Sequence, residues 1–346
     1  MNEPSSVEAG SHEFQFAGAA LAPVFGPTLA GFIGVVALLH LLNVLHWLPP
    51  YAPVESSDEV LMRRRFEMTR APSAAEVVII GDSSSAIDVE APLLGELLPG
   101  KPEVLNQGMY MGIGMDIYGE AAGEFARHHP GQVKLVVLLI TAEQLQNATM
   151  NPLHQRLWRE QISVAGPDTE TSHWQRWLGL DAARDRVATH LAPFAFHGHA
   201  SLYFAHPLHL RQHMRLHGGS TVDQGMYNPA AVAGPPNFRI TDEVRREAEL
   251  LRAAIPSEVK LAVGITPLPD SDVPAAFRVR RDELLRELND SLHADYLLTE
   301  LPVRLPNGFA ANSFHLNPRG AAHFTRLLAK ELAKLPVWND ASGDRK

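Results

Sequence analysis

The sequence predicts an α/β protein in which a five-stranded parallel sheet lies between two layers of helices. Three observations support this prediction. Short, continuously apolar runs recur along the chain, as expected of strands that are buried on both faces of a sheet. Segments with helical periodicity separate these runs. The chain has 346 residues, of which 45% are hydrophobic and 20% are charged, so it is long enough to bury such a core.

Five segments match the pattern of buried strands: residues 76–81, 102–106, 134–140, 258–265 and 295–301. The predicted helices are residues 116–129, 241–254, 275–293 and 318–335. Thr241 is placed to cap the second of these helices and Pro318 to begin the last one, since a hydroxyl and a proline are favoured at those positions. Together these elements predict one α/β domain over residues 76–335, followed by a tail over residues 336–346.

Residues 151–238 interrupt this alternation between the third and fourth strands, and we predict that they form a mostly helical insertion. Seven histidines of this segment fall between residues 190 and 217, at positions 190, 197, 199, 206, 209, 213 and 217. Three or four imidazoles can hold zinc. No Asp or Glu lies among these histidines to orient their rings, which favours a solvated or partner-facing segment over a metal site. The sequence indicates no cofactor.

The N-terminal part of the chain contains a window of 41 residues, 14–54, without any formal charge. Within it, residues 28–48 are mostly apolar, and as a helix they are just long enough to cross a hydrocarbon core of roughly 30 Å. Prolines bound this stretch on both sides, and Trp47 lies where interfacial aromatic residues are expected. We predict a transmembrane helix over 28–48, a polar or interfacial segment over 1–27 and a juxtamembrane linker over 49–75. A buried helix of a soluble domain is the alternative.

Charge and cysteine content exclude several classes of function. The formal net charge is −9, so the chain lacks the basic surface that nucleic-acid binding requires. The absence of cysteine excludes disulfides, cysteine nucleophiles and thiolate metal sites.

Residues that follow the predicted strands are candidates for a site, because ligands of open parallel sheets bind at the carboxyl ends of the strands. Ser83 follows the first strand at a glycine turn and is well placed for nucleophilic attack. His315, in the loop before the last helix, is a candidate for the base that such a serine needs. Gly108 and Gly112 follow the second strand, where backbone N–H groups can approach a developing oxyanion.

Three motifs resemble the SGNH (GDSL-like) hydrolase family: Gly81-Asp82-Ser83, Asn106-x-Gly108, and His-Leu-Asn-x-x-Gly from His315 to Gly320. The resemblance covers roughly residues 76–335 apart from the insertion. It implies a three-layer α/β/α, flavodoxin-like fold with Ser83 as the nucleophile and His315 as the general base. It also implies an oxyanion hole built from the N–H groups of Ser83 and of Gly108 or Gly112.

The sequence departs from this family at two positions. Asn312 stands three residues before the histidine, where the family usually has Asp; an amide can orient the ring, but it cannot stabilise an imidazolium as a carboxylate does. After the third strand the family has Gly-x-Asn, whereas this chain has Glu143 and Gln144, of which only Gln144 is a suitable oxyanion donor. These departures leave open a catalytically degenerate protein that binds glycan or recruits a membrane synthase or acyltransferase.

A membrane helix followed by such a domain resembles the membrane-anchored SGNH proteins that accompany membrane-bound O-acyltransferases. This arrangement implies an esterase or O-acyltransferase that acts on a cell-surface polysaccharide through an acyl-Ser83 intermediate. It implies a single-pass inner-membrane protein with a periplasmic domain and a membrane-bound acyltransferase or synthase as partner. The run Arg63-Arg64-Arg65 favours the cytoplasmic side by the positive-inside rule, unless these arginines belong to a helix of the folded domain. We give the family arrangement more weight.

Overall fold

We analysed a computed structural model of the chain, which describes residues 18–44, 57–146, 148, 152, 155–156, 158–159, 213–229, 238–273 and 277–338. The chain divides into two compact units. The first comprises Met1–Pro53 with Trp174–Leu191, and the second comprises Val54–His173 with Ala192–Lys346.

The first unit contains helix α1, Gly18–Val44, which is 27 residues long. The helix includes Pro23 and Pro27, so residues 18–27 of the segment predicted as polar or interfacial are helical. Each proline removes only one backbone donor, and the helix continues through both. Within the described residues, no helix is long and apolar enough to cross a membrane, so the predicted transmembrane helix is not found there. The last four residues of the predicted span, 45–48, lie outside the described residues.

The second unit is built on a parallel sheet whose five strands confirm the predicted α/β architecture. The strands are β1 Ala75–Gly81, β2 Glu103–Asn106, β3 Leu135–Ile140, β4 Lys260–Ile265 and, after a short strand β5 (Leu268–Pro269), β6 Tyr296–Leu297. Their order in the sheet is β2-β1-β3-β4-β6, and every neighbouring pair is parallel. The order reverses between β1 and β3, where such sheets form a binding crevice.

Helices cover both faces of this sheet. They are α2 Ser57–Arg70, α3 Ser83–Asp88, α4 Ala91–Leu97, α5 Met115–His128, α6 Asp242–Ala254, α7 Phe277–Leu292 and α8 Pro318–Leu332. One core holds side chains of α5, α6 and α7, and the other holds side chains of α4 and α8. Strand β3 contributes Val136 and Leu138 to the first core and Val137 and Leu139 to the second, which explains its continuously apolar sequence.

Two predicted helix starts are confirmed. Thr241 caps α6 by accepting a hydrogen bond from the N–H of Val244 at 3.3 Å. Pro318 is the first residue of α8, and the preceding Asn317 caps the helix by accepting from the N–H of Gly320 at 3.0 Å.

The fifth strand of the main sheet is shorter than the predicted 295–301. The carbonyl groups of Thr299 and Leu301 accept hydrogen bonds from the buried guanidinium of Arg281 on α7, at 2.6 and 2.7 Å, instead of continuing the ladder. The chain then forms strand β7, Arg304–Leu305, which pairs in parallel with β5 in a second small sheet that the sequence did not predict.

The predicted juxtamembrane linker 49–75 contains α2, which packs on α5. Arg65 and Arg70 on this helix make contacts within the folded unit. Arg65 is fully buried, and Arg70 lies 3.3 Å from the carboxylate of Glu124 on α5. Of the predicted insertion 151–238, the main described stretch is 213–229, which starts with a helical turn at 213–216. In the predicted tail, the indole N–H of Trp338 donates to the carbonyl of Leu332 at 2.7 Å.

Gly81, the last residue of β1, has a backbone conformation that other residues rarely adopt. A methyl group added at this position is therefore expected to destabilise the fold. Its φ is +138°, and a Cβ atom would lie 1.7 Å from the carbonyl oxygen of Leu139. We expect Gly81→Ala to lower the free energy of unfolding in urea by roughly 2–5 kcal/mol. The control is Gly131→Ala, where φ is also positive but nothing lies within 4 Å; about 1–2 kcal/mol is expected there. Equal losses in both variants would contradict the close approach of β3.

Candidate active site

The carboxyl group of Asp82 fastens the end of β1 to the end of β3. It accepts hydrogen bonds from the backbone and hydroxyl groups of Ser84 at 3.0 and 2.6 Å, and from the same two groups of Thr141 at 2.8 and 2.9 Å. Asp82 is fully buried and caps α3. The first residue of α3, Ser83, is thereby held where the strand order reverses.

The three consecutive serines at this point differ in their surroundings. Ser84 and Ser85 are fully buried, and their hydroxyl groups donate to the side chain and to the carbonyl of Asp82, respectively. Ser83 is partly exposed, and its Oγ lies 2.9 Å from Nε2 of His315. The structure therefore brings together the two residues that the sequence predicts as nucleophile and base, although 232 positions separate them.

A third residue, which the sequence analysis missed, completes a chain of contacts from the serine. Nδ1 of His315 lies 3.1 Å from Oδ2 of Asp223. With the Nδ1 proton donated to this carboxylate, Nε2 is left as an acceptor facing the hydroxyl of Ser83, which is the tautomer that a general base needs. Ser83, His315 and Asp223, here called the triad, have the arrangement of a serine nucleophile, a base and an orienting acid.

The sequence suggests that Asn312 orients the ring of His315, but in the structure its amide group binds Asp223. Its Oδ1 accepts from the backbone N–H groups of Phe314 and His315, at 2.8 and 2.9 Å, so its Nδ2 is the end that points at Asp223. Nδ2 donates to Oδ2 of Asp223 at 2.8 Å. The amide group and the imidazole thus share one carboxylate oxygen. Asn312 orients the acid instead of replacing it.

The environment of Asp223 favours its ionised form. The hydrogen bond with His315 lowers the pKa of Asp223, and the N–H of Gly225, at 2.8 Å, lowers it further, whereas burial acts in the opposite direction. The net effect is a lowered pKa. The acid is therefore charged at neutral pH and can stabilise an imidazolium that forms during catalysis.

A second carboxyl group links α3, the helix that carries Ser83, to the loop of His315. Asp88, at the end of α3, is fully buried, and its Oδ1 accepts from the N–H of Leu316 at 2.8 Å. Burial raises the pKa of Asp88 well above its usual value, and the nearby Asp82 and Asp223 raise it further, while the bond from Leu316 lowers it. The bond fixes the residue next to His315 against α3.

The predicted oxyanion donors Gly108, Gly112 and Gln144 have different surroundings. The N–H of Gly108 donates to Oδ1 of Asn106 at 2.9 Å, in a turn within its own loop, so it is occupied in this conformation. Gly112 has φ of +89°, and none of the described hydrogen bonds joins it to Ser83 or His315. Gln144 is buried in the short 3₁₀ helix Ala142–Gln146, and its Oε1 lies 3.5 Å from the hydroxyl of Tyr118 on α5.

The described residues contain no group of three or more side chains that could hold a metal ion. Of the seven clustered histidines, only His213 and His217 are described, and their rings stack with centroids 4.1 Å apart. Burial, and to a lesser degree the neighbouring His217, lowers the pKa of His213 to about 4. The other five histidines, and Asn147 after the third strand, lie outside the described residues.

One sequence signal could have identified Asp223. It is the only acidic residue between Asp185 and Asp242, so it stands alone in a long stretch of the insertion without negative charge. The insertion interrupts the α/β pattern, so a search along the strand ends does not reach it.

Comparison of the chain with family models, with curated proteins and with solved structures found no match.

The lowered pKa of Asp223 predicts a pH-dependent effect on stability. Because folding lowers this pKa, the ionised group stabilises the fold above the unfolded-state value of about 3.9, and this contribution is lost as the pH falls through the folded-state value. We expect Asp223→Asn to lower the free energy of unfolding at pH 7, and the difference from the wild type to shrink between pH 4 and pH 2. Urea titrations across this range measure it. Asp290→Asn, at an exposed position on α7, controls for the loss of a negative charge. The prediction is contradicted if the difference in the free energy of unfolding between wild type and Asp223→Asn does not change with pH.

Proposed function

We propose that this chain is a serine-dependent acyl-ester enzyme of the SGNH type, which forms an acyl-Ser83 intermediate. The observation that carries the proposal is the continuous contact from Ser83 through His315 to Asp223, with distances of 2.9 and 3.1 Å. The acid that the resemblance left in doubt at position 312 is supplied from the insertion. This weakens the case for a degenerate site, which rested largely on the missing carboxylate.

The geometry supports a two-step transfer in which protons balance through one histidine. In the first step, Ser83 Oγ attacks the acyl carbonyl carbon while Nε2 of His315 takes the hydroxyl proton. The ester C–O bond then breaks, and the same Nε2–H protonates the leaving alcohol. In the second step, a water or a second alcohol gives its proton to Nε2 and attacks the acyl-Ser83 carbonyl. The bond between the acyl carbon and Ser83 Oγ then breaks, Nε2–H returns the proton to Oγ, and the acid or the new ester is released. Asp223 stabilises the imidazolium in both steps.

The oxyanion site of this proposal depends on backbone N–H groups near Ser83 and Gly108. The backbone N–H of Ser83 remains a candidate donor, because the side chain of Asp82 caps the next residue, Ser84. The N–H of Gly108 is occupied by Asn106, and this is the observation that favours the second candidate, a glycan-binding or partner-recruiting protein without catalysis. Loss of a single oxyanion donor costs about 10²–10³-fold in rate, so an enzyme with only Ser83 as donor is slower rather than inactive.

The substrate class rests on the family resemblance. By that resemblance the acyl group is moved onto or off a cell-surface polysaccharide, and a membrane-bound acyltransferase or synthase is the partner. Attachment to the inner membrane, with the domain in the periplasm, stays a prediction from the apolar sequence of residues 28–48.

An activity-based label tests the serine. We expect a fluorophosphonate probe to label the wild-type chain, and Ser83→Ala to abolish labelling, because the Ser83 hydroxyl lies next to the base His315. Ser85→Ala is the matched control, since Ser85 has a buried hydroxyl bonded to the Asp82 carbonyl. A wild-type chain that folds but is not labelled would favour the non-catalytic candidate, and labelling that persists in Ser83→Ala would mean that another residue is the nucleophile.

The two roles given to Asp223 and Asn312 predict different kinetic losses. Asp223→Asn is expected to lower the turnover of an aryl ester by about 10³–10⁴-fold, because the imidazolium loses its counter-charge. Asn312→Ala is expected to cost about 10–100-fold, as for a group that only orients another.

The exchange Asp223→Asn with Asn312→Asp places a carboxylate next to Nδ1 of His315 again, because Nδ2 of Asn312 is 3.1 Å from that atom. We expect this double variant to be faster than Asp223→Asn alone. If Asp223→Asn and the wild type have equal turnover, Asp223 does not act as the acid of the triad.

A further inference from the structure

Arg65 is a buried cation to which the proposed mechanism gives no role. It lies on α2 with none of its surface exposed. Its Nε and Nη2 atoms have no hydrogen-bond partner, and among the described residues no carboxylate pairs with it. Burial alone lowers the pKa of Arg65 to about 9, so it is still charged at neutral pH. A buried charge without an ion-pair partner costs folding free energy. Stability alone therefore does not explain why an arginine occupies this position.

The guanidinium of Arg65 holds two backbone carbonyls that come from distant parts of the chain. Nη1 donates to the carbonyl of Asn106, the last residue of β2, and to the carbonyl of Gly219 in the insertion, the latter at 2.6 Å. A charged donor makes a stronger bond to a carbonyl than a neutral one. Arg65 therefore joins the end of β2 to the insertion.

The contact requires a glycine at position 219, because a side chain there would clash. Its φ is +90°, and a Cβ atom there would lie 2.1 Å from the carbonyl oxygen of Asn106 and 2.8 Å from Nη1 of Arg65. The adjacent Gly218 accepts from the N–H of Asn106 at 2.7 Å, so the insertion also pairs directly with β2 at this point. The close approach of the insertion to β2 and to the Arg65 side chain thus depends on these glycines.

The same stretch of chain leads to the triad. Thr221 donates its N–H to the carbonyl of Ala86 on α3 at 2.8 Å, and Asp223 follows two residues later. The insertion is thus fixed first to β2 at Gly219, next to the helix of the nucleophile at Thr221, and then contacts His315. Arg65 itself does not contact Asp223.

We infer that Arg65 is a positioning residue for the triad: by holding Gly219 at the end of β2, its guanidinium places Asp223 against His315. This inference rests on the proposed function for its effect on rate, but its effect on Asp223 is structural and can be measured without activity. Arg65 acts on the acid through the backbone of residues 219–223.

A double-variant cycle tests the effect on rate. The second-order rate constant for fluorophosphonate labelling is measured for wild type, Arg65→Met, Asp223→Asn and the double variant, each shown to be folded by circular dichroism. We expect Arg65→Met to lower the rate about 10–100-fold in the wild-type background, as for a misplaced catalytic group. In the Asp223→Asn background it should lower the rate less than about twofold, because the group that it positions is already lost.

The matched control is Arg64→Met on the same helix. The guanidinium of Arg64 bonds to the carboxylate of Glu67, also on α2, at 2.6 and 2.7 Å, and should not affect the labelling rate. A wild-type rate in folded Arg65→Met would overturn the inference. An equal fractional loss in both backgrounds would overturn it too, since a general loss of fold quality acts independently of Asp223. If Arg65→Met does not fold, Arg65→Lys decides: a rate at least fivefold lower supports the inference, and the wild-type rate overturns it.

Carbon-13 NMR titration of the Asp223 carboxyl separates this inference from the proposed function. The pKa of Asp223 is lowered chiefly by its bond with His315, so it should rise towards its usual value in Arg65→Met but not in Arg64→Met. An unchanged pKa in Arg65→Met overturns the inference whether or not the chain is an enzyme. A wild-type chain without labelling, together with a raised pKa in Arg65→Met, overturns the proposed function and leaves the positioning of Asp223 by Arg65 intact.

Discussion

The hydrogen bonds that the Asp82 carboxyl group accepts from α3 and from the end of β3 are the constraint on which the site depends. Parallel strands end at a common edge, but nothing in the sheet ladder alone fixes the side chains that follow them. Four hydrogen bonds from Ser84 and Thr141 to one buried carboxyl group fix these two strand ends against each other. Because the bonds on one side come from α3 itself, the orientation of Ser83 follows from the same contacts. A buried acid with satisfied oxygens adds rigidity where flexible loops would otherwise meet.

The remaining parts of the site are attached by buried polar groups of the same kind. Asp88 binds the backbone next to His315, and Arg65 binds the backbone at Gly219, which leads to Asp223. Burying the charged forms of these two side chains costs free energy, and for this reason the pKa of Asp88 is raised and the pKa of Arg65 is lowered. Each one holds a segment that carries one member of the triad. The free-energy cost of burying these groups is thus concentrated at the segments that hold Ser83, His315 and Asp223 together.

The predictable parts of this molecule are those that depend on local pattern or on strand ends. Strand β3 could be predicted because burial on both faces makes its sequence apolar throughout. Ser83 and His315 could be predicted because each lies at the carboxyl edge of the predicted sheet. Asp223 could not be predicted in this way, since it follows no strand and lies 92 positions from its partner. Its role depends on where the insertion folds, and that is set by tertiary contacts such as those of Gly219.

Placing the acid on an insertion has a physical consequence for the triad. When the acid and the base share one loop, as a residue three positions before the histidine would, their distance is fixed by local backbone geometry. Here the loop of His315 supplies only the amide of Asn312, and the carboxylate arrives from a separate segment. The Nδ2 group of Asn312 therefore serves as a docking point for Asp223, since it donates to the same oxygen that accepts from His315. The distance between Asp223 and His315 then depends on the contacts that hold residues 218–221, such as the bond from Asn106 to Gly218 and the bond from Thr221 to Ala86.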